Sequence, residues 1–359
     1  MKIALVITGR LEALTGGFLY DRFLVDALRR RGHRVEVVGL PWRPYALCLA
    51  TNLSRRLRKH LFGRGWDLLL QDALAHPGLV GLNRSSAARA CGPVVGIVHQ
   101  VLCLQPRRAW LNTIYRFLEK RFLEELDAFV FNSEETRRQV RRLIGRERPH
   151  RVARPAGNRL GGLPPAAAIA ARAQRAGPLE LLFVGNLSQV KGLAELIGAL
   201  AQLRQGGWRL TVVGDTEMDR AYARRVRRLA SRLGHSSTVS FLGRLKGDDL
   251  REVFLRCHAL VMPFAHEAFG IAALEAMGFG LPVIGSTRGG VGEFVRHGEN
   301  GFRVAPGDTH SLRRHIETLW ADRTLLDRMG RSAQQTHRAW PRWEESMEDA
   351  CLFLEGLGR

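Results

Sequence analysis

The sequence contains no apolar run that approaches the roughly 20 residues a helix needs to cross a bilayer. Its apolar opening, Met1 to Thr8, is too short for a secretory signal and runs straight into a glycine-rich loop. The five cysteines are scattered, odd in number and without the spacing of metal ligands. These absences favour a cytoplasmic protein with reduced thiols, and the length of 359 residues predicts two domains.

Acidic residues are also scarce. The chain has 34 Asp and Glu against 55 Lys and Arg, a formal charge of +21. Residues 1–165 carry 29 of the cations and only 13 acids, a net charge of +16. Such a surface attracts nucleic acid, anionic lipid or a phosphorylated substrate. Most of the cations are arginine, which a GC-rich genome also produces, so charge alone does not choose among these explanations.

Recognised nucleic-acid motifs are missing as well. The sequence has no zinc-finger spacing, no strand of interleaved aromatic residues and no repeat period. Nucleic acid is therefore not expected as a partner. The basic run Arg55–Lys59 falls on a predicted helix. A solvated helix face is the common meaning of such a run, and a site for anionic lipid head groups is the alternative.

The N-terminal half begins with a strand, a helix and a second strand. Residues 2–8 and 35–40 predict buried strands and residues 18–31 an amphipathic helix, a pattern that fixes a parallel, right-handed crossover. The unit lacks a G-x-G-x-x-G fingerprint, so a dinucleotide-binding fold of the usual kind is not supported. Gly16 and Gly17 would let a ligand approach the backbone closely, although a plain turn contains the same residues.

Two further strands are predicted at residues 67–71 and 94–98, and His99 follows the second of them. Open α/β sheets bind ligands beyond the carboxyl ends of their strands. His99 is therefore a candidate binding side chain, and a hydrogen-bonded core histidine is the alternative.

The most informative stretch of the chain is 258–290. It predicts a buried strand at 259–264, a short helix at 270–277 that glycines end, and another strand at 281–284. Glu275 is the only charged residue in the middle of this stretch. Because an ionised carboxylate buried without a partner costs several kcal/mol, we expect Glu275 to serve a ligand.

The position of Glu275 in its helix indicates what the ligand is. Helical side chains lean toward the helix start, where the free amides of Phe269, Gly270 and Ile271 would attract an anion. Glu267, in the loop before the helix, would reach whatever is attached to that anion. A nucleotide diphosphate with its ribose satisfies both the amides and the carboxylate.

Glu267 and Glu275 have seven residues between them, and Phe269–Gly270 follow the first. This arrangement resembles the E-x7-E motif of the retaining glycosyltransferases of family 4, which have the GT-B fold. The resemblance is strongest over about 179–330. It implies that Glu267 contacts the hydroxyls of the donor sugar and that Glu275 contacts the ribose of the nucleotide.

The segment from Gly185 to Gly192 resembles the family's donor-phosphate loop, where a Gly-Arg pair and a Lys-Gly pair supply two cations. Lys191 matches the second cation. Asn186 stands where arginine is usual, so one phosphate cation is absent or comes from elsewhere, and a catalytically weakened relative is an open alternative. The resemblance implies four further contacts. The donor phosphates would lie on Gly185, and the backbone of Gly243, Arg244 and Leu245 would frame the nucleobase. The donor phosphates and the acceptor would lie near Gly16 and Gly17, and the donor sugar near His99.

The resemblance implies an α/β GT-B architecture of two doubly wound, Rossmann-like domains with a cleft between them. Residues 1–160 would form an acceptor-binding domain, 161–178 a linker and 179–338 a nucleotide-sugar-binding domain. Residues 339–359 would form a helix that returns to the first domain.

The implied activity is transfer of a hexose-type sugar from a nucleotide-diphosphate donor to an acceptor hydroxyl, with retention of configuration. Glu267, His99 and Lys191 are the expected catalytic residues, and neither a cofactor nor a metal is expected. The acceptor would be a carbohydrate or glycolipid of cell-surface synthesis, and peripheral attachment to an anionic membrane surface is an expectation from the charge. The alternatives are another GT-B enzyme, such as a nucleotide-sugar epimerase or a phosphorylase, and a basic non-catalytic binding protein.

Overall fold

The computed structural model describes residues 1–13, 15–84, 92–105, 107–203, 206–235, 237–265 and 267–358. The chain divides into two compact units. The first unit is Met1–Pro155 with Arg342–Arg359, and the second unit is Ala156–Pro341. Each contains a six-stranded sheet in which all neighbouring strands are parallel.

The sheet of the first unit has the strand order β2-β1-β3-β4-β5-β6. Its strands are β1 Lys2–Thr8, β2 Arg34–Leu40, β3 Leu68–Asp72, β4 Val94–Val98, β5 Ala128–Phe131 and β6 His150–Val152. Its helices are α1 Gly16–Arg30, α2 Tyr45–Cys48, α3 Arg55–Phe62, α4 His76–Leu79, α5 Ala109–Glu124 and α6 Glu134–Ile144, with 3-10 turns at Leu49–Leu53, Ala73–Ala75 and Leu102–Leu104.

The sheet of the second unit has the order β12-β11-β10-β7-β8-β9. Its strands are β7 Leu179–Val184, β8 Trp208–Val213, β9 Val239–Gly243, β10 Ala259–Met262, β11 Val283–Ser286 and β12 Gly301–Val304. Its helices are α7 Ala166–Ala173, α8 Leu193–Leu200, α9 Arg220–Arg232, α10 Gly247–Arg256, α11 Ile271–Gly278, α12 Thr309–Ala321 and α13 Arg323–Ala339, with 3-10 turns at Gln189–Lys191 and Gly290–Glu293.

The central strands are apolar along their whole length because helices cover both faces of a parallel sheet. Strands β4 and β10 are buried at every position. In the second unit the side chains of β7 alternate between two apolar clusters: Leu181 packs with α8 and α12 residues, and Leu182 packs with α10 and α11 residues. The core of this unit therefore lies on both sides of its sheet.

Both sheets have a topological switch point, where successive connections leave toward opposite edges of the sheet. In the first unit it lies between β1 and β3, and in the second unit between β7 and β10. Ligands of open α/β sheets bind outside the carboxyl ends of the strands at such a point. The strand order alone thus selects the loops after these four strands as candidate binding loops.

The chain ends on α14, Trp343–Leu357, which belongs to the first unit. It packs against α1, where the rings of Phe23 and Trp343 stack with centroids 4.2 Å apart. Arg31 donates to Glu355 through Nε and Nη2, each at 2.7 Å. Aromatic stacking and a two-point ion pair therefore hold this last helix.

The predicted linker at residues 161–178 is wrong in structure. These residues contain α7 and belong to the second unit, and the contacts of the chain divide it at Pro155 instead. Helix α7 packs against α13, and the buried guanidinium of Arg172 donates 2.8 Å hydrogen bonds to the carbonyl oxygens of Phe279 and Gly280. A segment rich in Pro and Ala was interpreted as a connector, but its alanines have the highest helix propensity.

Candidate functional site

In the second unit, the loops after β7 and β10 meet beyond the sheet. The ammonium of Lys191 is ion-paired with the carboxylate of Glu267 and lies 5.0 Å from the ring centre of Phe264. The amide of Ala265 donates to the carbonyl of Val190 at 2.9 Å, which ties the two loops together. The structure therefore brings two of the predicted catalytic residues into contact at the switch point.

The start of α11 is built on glycine. Gly270 has φ +94°, and a Cβ there would lie 2.8 Å from Val291 Cγ2, so both conformation and packing exclude a side chain. Gly289 packs equally closely on the other side, where a Cβ would lie 1.8 Å from the carbonyl oxygen of Glu267. Two tight backbone contacts thus fix the Glu267 loop. His266, in the same loop, lies outside the described residues.

The amides at the start of α11 lie beside the Lys191–Glu267 pair. Within the described part of the chain, the amides of Phe269, Gly270 and Ile271 make no hydrogen bond to protein acceptors. Phe269 and Gly270 are buried, whereas Ile271 is half-buried. An anion site at a helix start requires amides of this kind, and binding of an anion there stays a prediction.

Glu275 has a protein partner that the sequence analysis did not anticipate. Its carboxylate is 2% exposed and accepts two hydrogen bonds from Arg159, 2.8 Å from Nε to Oε1 and 3.1 Å from Nη2 to Oε2. Burial raises the pKa of Glu275, and the Arg159 guanidinium offsets part of that rise. The expectation of a carboxylate without a protein partner is therefore wrong, although each oxygen keeps a second lone pair for a ligand.

A second cation lies where strands β7, β8 and β9 end. Arg244 is ion-paired with Asp215, whose carbonyl accepts from the amide of Leu187 at 2.9 Å. Burial acts to raise the pKa of Asp215, but the amide of Glu217 and the Arg244 guanidinium lower it overall. Asn186 belongs to this group of loops. Arg244 is thus the cation that the structure places beside the loop in which the usual arginine is missing.

The remaining predicted donor residues lie in the same loops. Gly185 directly follows β7 and is close to the Lys191 side chain, with 3.8 Å between the Cβ it would carry and Lys191 Cδ. Gly243 has φ +70° and accepts through its carbonyl from the amide of Gly214 at 2.8 Å. Leu245 packs half-buried on the core of this unit. All the candidates of the second unit therefore line one edge of its sheet.

In the first unit, His99 lies in a buried cluster with two carboxylates. His99 Nε2 is 2.9 Å from Asp21 Oδ1, and one ligand atom from each of Asp21, Asp72 and His99 falls within 4.8 Å of the others. Asp21, Asp72 and His99 are 0%, 1% and 4% exposed. They come from α1 and from the ends of β3 and β4, so the cluster lies at the switch point of this sheet.

Burial and the neighbouring charges raise the pKa values of two members of the cluster, His99 and Asp72. Burial alone would lower the pKa of His99, but the charge of Asp21, its hydrogen bond and the charge of Asp72 raise it overall. Burial raises the pKa of Asp72 to about 7. A histidine whose charged form is stabilised is a poor proton acceptor at neutral pH, and this favours a positioning role over a general-base role.

The same three groups have the chemistry of metal ligands, and Asp21 Oδ2 is buried without a hydrogen-bond partner. The Nε2 atom of His99 is directed at Asp21, so an ion would have to replace that hydrogen bond. The cluster fits a shared proton better than an ion, because the hydrogen bond already satisfies two of the three groups.

The glycine pair that begins α1, Gly16 and Gly17, lies beside the His99 ring. A Cβ on Gly17 would lie 3.2 Å from His99 Cδ2, and the ring of Tyr20 meets the His99 ring edge-on at 5.1 Å. The carbonyl of His99 accepts from Asn132 Nδ2 at 2.9 Å. Gly16 begins the helix beside it. The first unit therefore brings together every candidate residue that the sequence places in it.

The structure adds three residues to the predicted set, namely Asp21, Asp72 and Arg159. Asp21 had a signal in the sequence, since it is an acid among the buried residues Phe18, Leu24 and Val25 of an amphipathic helix. The signal for Asp72 was weaker and consisted of its position after a predicted buried strand. The sequence contained no signal for Arg159, because its partner Glu275 is 116 residues away in the chain.

Three further features of the structure contribute nothing to the candidate site. An apolar pocket lined by Leu179, Trp208, Ile316 and Trp320 lies at the opposite, amino-terminal edge of the second sheet. Of the described cysteines, three are buried and Cys48 is half-buried, and all four are free thiols. Among the described residues, no helix combines the length and the apolar composition that a bilayer crossing requires.

Comparison with known proteins identifies the family. The model for glycosyl transferases group 1 matches residues 168–336, and the model for glycosyltransferase family 4 matches residues 22–155. The glycogen synthase of Mycobacterium tuberculosis is 38% identical over 174 residues, which are 46% of this chain and 40% of that protein. The chain thus spans less than half the length of this relative.

Two solved structures share the fold over almost the whole chain. The sucrose-phosphate synthase of Thermosynechococcus elongatus has a TM-score of 0.82 at 22% identity and covers 99% of this chain and 98% of its own. HepE of Anabaena, solved with UDP and glucose, has a TM-score of 0.78 at 22% identity, with 99% and 100% covered. The two family matches together span most of both units, and the chain therefore belongs to the family 4 glycosyltransferases of GT-B fold.

Proposed function

We propose that this protein transfers a hexose-type sugar from a nucleotide-diphosphate donor to an acceptor hydroxyl, with retention of configuration. The observation that carries the proposal is the contact of Lys191 with Glu267 at the switch point of the second sheet, beside the open amides that begin α11. A cation and free amides suit a diphosphate, and a carboxylate suits sugar hydroxyls.

The departing diphosphate is the charge that the enzyme has to stabilise. Lys191 and the amides of α11 would stabilise it directly. Arg244 would supply the second cation for the diphosphate. It would replace the arginine that the resembled family has at the position of Asn186. Lys191 is ion-paired with Glu267, and Arg244 is ion-paired with Asp215. The donor diphosphate would compete with these carboxylates for the two cations.

The second unit also suits the nucleoside part of the donor. Glu275 would accept from ribose hydroxyls through lone pairs that Arg159 leaves free, and Arg159 fixes the carboxylate in place. The backbone at Gly243–Leu245 would frame the base. HepE was solved with UDP-glucose, which supports a nucleotide sugar as the donor of this fold.

The first unit would bind the acceptor. His99 is held by Asp21 and lies under Gly17, so it would position a sugar hydroxyl. We propose that the leaving phosphate takes the acceptor proton on the same face from which it departs, which gives retention. The acceptor would be a carbohydrate or glycolipid of cell-surface synthesis, since residues 1–165 carry a net charge of +16.

A thermal-shift screen against UDP, GDP, ADP and their sugar conjugates tests the proposal. Specific binding raises the melting temperature by mass action, so one nucleotide series should stabilise the protein and the other two should not. Absence of a shift with all of them would contradict it. Turnover of the bound sugar nucleotide without any acceptor would instead indicate an epimerase, and turnover that requires inorganic phosphate a phosphorylase.

A further inference from the structure

Helix α5 exposes a stripe of large apolar side chains. Trp110, Ile114 and Phe117 are 61%, 45% and 55% exposed. Their spacing of four and three residues places them on one face of the helix. Single exposed apolar residues are ordinary, but a stripe of this size on a helix of a folded protein indicates a surface that another phase or molecule covers.

A second group of exposed apolar residues follows strand β2. Trp42, Leu47 and Leu53 are 75%, 57% and 82% exposed. The two groups are adjacent, since the ring of Tyr45 in α2 stacks on Tyr115 in α5 with centroids 3.7 Å apart. We call these six residues, Trp42, Leu47, Leu53, Trp110, Ile114 and Phe117, the apolar face.

The charges around the apolar face have one sign. Residues 37–66 and 73–118 contain no Asp or Glu. Helix α3 exposes Arg55, Arg56, Arg58 and Lys59, and α5 and the residue before it expose Arg108, Arg116, Lys120 and Arg121. The one acid within this part of α5, Glu119, is buried and accepts from the amides of Leu102 and Cys103 at 2.7 and 2.8 Å. Lys120 pairs with Glu124 at the end of α5, with 3.8 Å between Nζ and Oε1. The surface therefore combines apolar side chains with an excess of positive charge.

The apolar face reaches the edge of the first sheet at which the candidate site lies. Trp42 follows the carboxyl end of β2, and its Cε3 is 3.5 Å from where a Cβ of Gly9 would stand, after β1. Leu104, 43% exposed, lies in the 3-10 turn Leu102–Leu104 of the connection that leaves β4 through His99. The apolar face and the His99 cluster thus share one edge of this unit.

We propose that the apolar face docks on the surface of an anionic lipid bilayer, with the cations of α3 and α5 against the head groups. Tryptophan side chains are favourable at the boundary between lipid and water. The side chains of Ile and Leu gain free energy when they are buried among lipid chains, and a nucleic-acid phosphate backbone offers them no such apolar environment. Nucleic acid would call for the cations alone, and a second copy of this chain would bring the same positive charge to both sides. The identity of the acceptor as a glycolipid rests on the proposed function, but the docking itself does not.

Vesicle flotation tests the proposal. The full chain is mixed with vesicles of phosphatidylcholine alone or with about 30 mol% phosphatidylglycerol, and the floated fraction is measured at two salt concentrations. The protein floats with the anionic vesicles only, and it does so less at the higher salt concentration. Replacement of Trp110, Ile114 and Phe117 by Ser lowers the partition coefficient at least tenfold. A second variant, in which Gln replaces Arg55, Arg56, Arg58 and Lys59, lowers the partition coefficient by about fivefold for each cation removed.

Helix α9 offers a matched control. It exposes Arg224, Arg225, Arg228 and Arg232 in the second unit, so their replacement by Gln removes the same charge elsewhere. This variant and Leu352→Ser, 54% exposed in α14, keep the flotation of the unaltered protein. Equal loss in the α9 variant would overturn the proposal in favour of unspecific charge attraction.

Two further outcomes would also overturn it. Binding to duplex DNA that depends on α3 and α5, without flotation, would assign the surface to nucleic acid. A concentration-dependent dimer that the three serine substitutions abolish would assign it to a second copy. The increase in melting temperature caused by nucleotides is also measured on each variant. A variant that loses this increase but still floats with the vesicles would count against the proposed function and not against the docking surface.

Discussion

Arg159 and Glu275 form a two-point ion pair in which the carboxylate is almost fully buried and the guanidinium is one-third exposed. The segment around Gly157 makes this possible, because a Cβ there would lie 2.9 Å from the backbone of Leu274. His337 Nδ1 lies 3.0 Å from the carbonyl oxygen of Leu274 and 3.0 Å from where a Cβ of Gly157 would stand. Gly157 and His337 thus pack together against α11 beside Glu275, and Arg159 holds the carboxylate of Glu275 in a fixed orientation.

Replacing Arg159 by Gln should destabilise the second unit, because it leaves a buried carboxylate without its cation. Since the guanidinium is partly exposed, we expect a loss of about 1–3 kcal/mol in the free energy of unfolding, less than for a fully buried pair. The double variant Arg159→Gln, Glu275→Gln should recover part of it. Urea denaturation of Arg159→Gln, Glu275→Gln and the double variant measures the coupling, and strictly additive losses would contradict it.

Replacing Glu267 by Gln should separate nucleotide binding from sugar transfer. The substitution removes the carboxylate that neutralises Lys191, so the affinity for the matching nucleoside diphosphate should rise or stay unchanged. The affinity for the sugar conjugate should fall, and turnover should fall by about two orders of magnitude or more. Glu252→Gln is the control, because that carboxylate lies on the surface, where it pairs with Arg251. Equal weakening of both ligands would contradict separate roles.

Replacing Asp72 by Asn should change how stability depends on pH. The pKa of Asp72 is about 7 in the folded protein and near 3.8 unfolded, so the folded state binds more protons between these values. Its contribution to stability therefore falls as pH rises from about 4 to 7, by up to about 4 kcal/mol. Asp21 and His99 are the titratable groups that face it.

The Asp72→Asn variant lacks this titration. Its stability relative to the unaltered protein should therefore improve steadily as the pH rises from about 4 to about 8. Chemical denaturation at several pH values gives the difference curve. A flat difference curve would show that Asp72 is not protonated in the folded protein near neutrality.

Replacing Gly270 by Ala should disrupt the start of α11. The residue has φ +94°, and the added Cβ would clash with Val291, so we expect a loss of about 1–3 kcal/mol together with weaker donor binding. Gly198→Ala in α8 is the matched control. A Cβ there meets nothing within 4 Å, and this variant should gain about 0.4–1 kcal/mol. Equal stability of the two variants would contradict the conclusion that the conformation of Gly270 excludes a side chain.

The sequence predicts strands β1 to β4, β10 and β11, because parallel strands buried on both faces appear as uninterrupted apolar runs. Strand β6, His150–Val152, has no such run, because it is a short edge strand with partly exposed polar side chains. Helix α13 has a buried stripe of Ala333, Gln334 and His337 that its polar composition hides in the sequence.

The candidate site was predictable where it depends on neighbours in the chain. The loops that contain Lys191 and Glu267 follow buried strands, so their shared edge could be inferred. The partners of the buried charges could not, because Asp21 meets His99 across 78 residues and Arg159 meets Glu275 across 116. Charge pairs at such separations depend on the tertiary packing of whole elements.

The account depends on Glu267, Lys191 and the start of α11 binding an activated sugar. Calorimetric titration of the full chain with the nucleoside diphosphate from the screen, and then with its sugar conjugate, tests this most directly. We expect both to bind, the conjugate more tightly, and the Glu267→Gln variant to lose the difference while it keeps the nucleotide. Undiminished preference for the conjugate in that variant, or no binding of either ligand to the unaltered protein, would contradict the account.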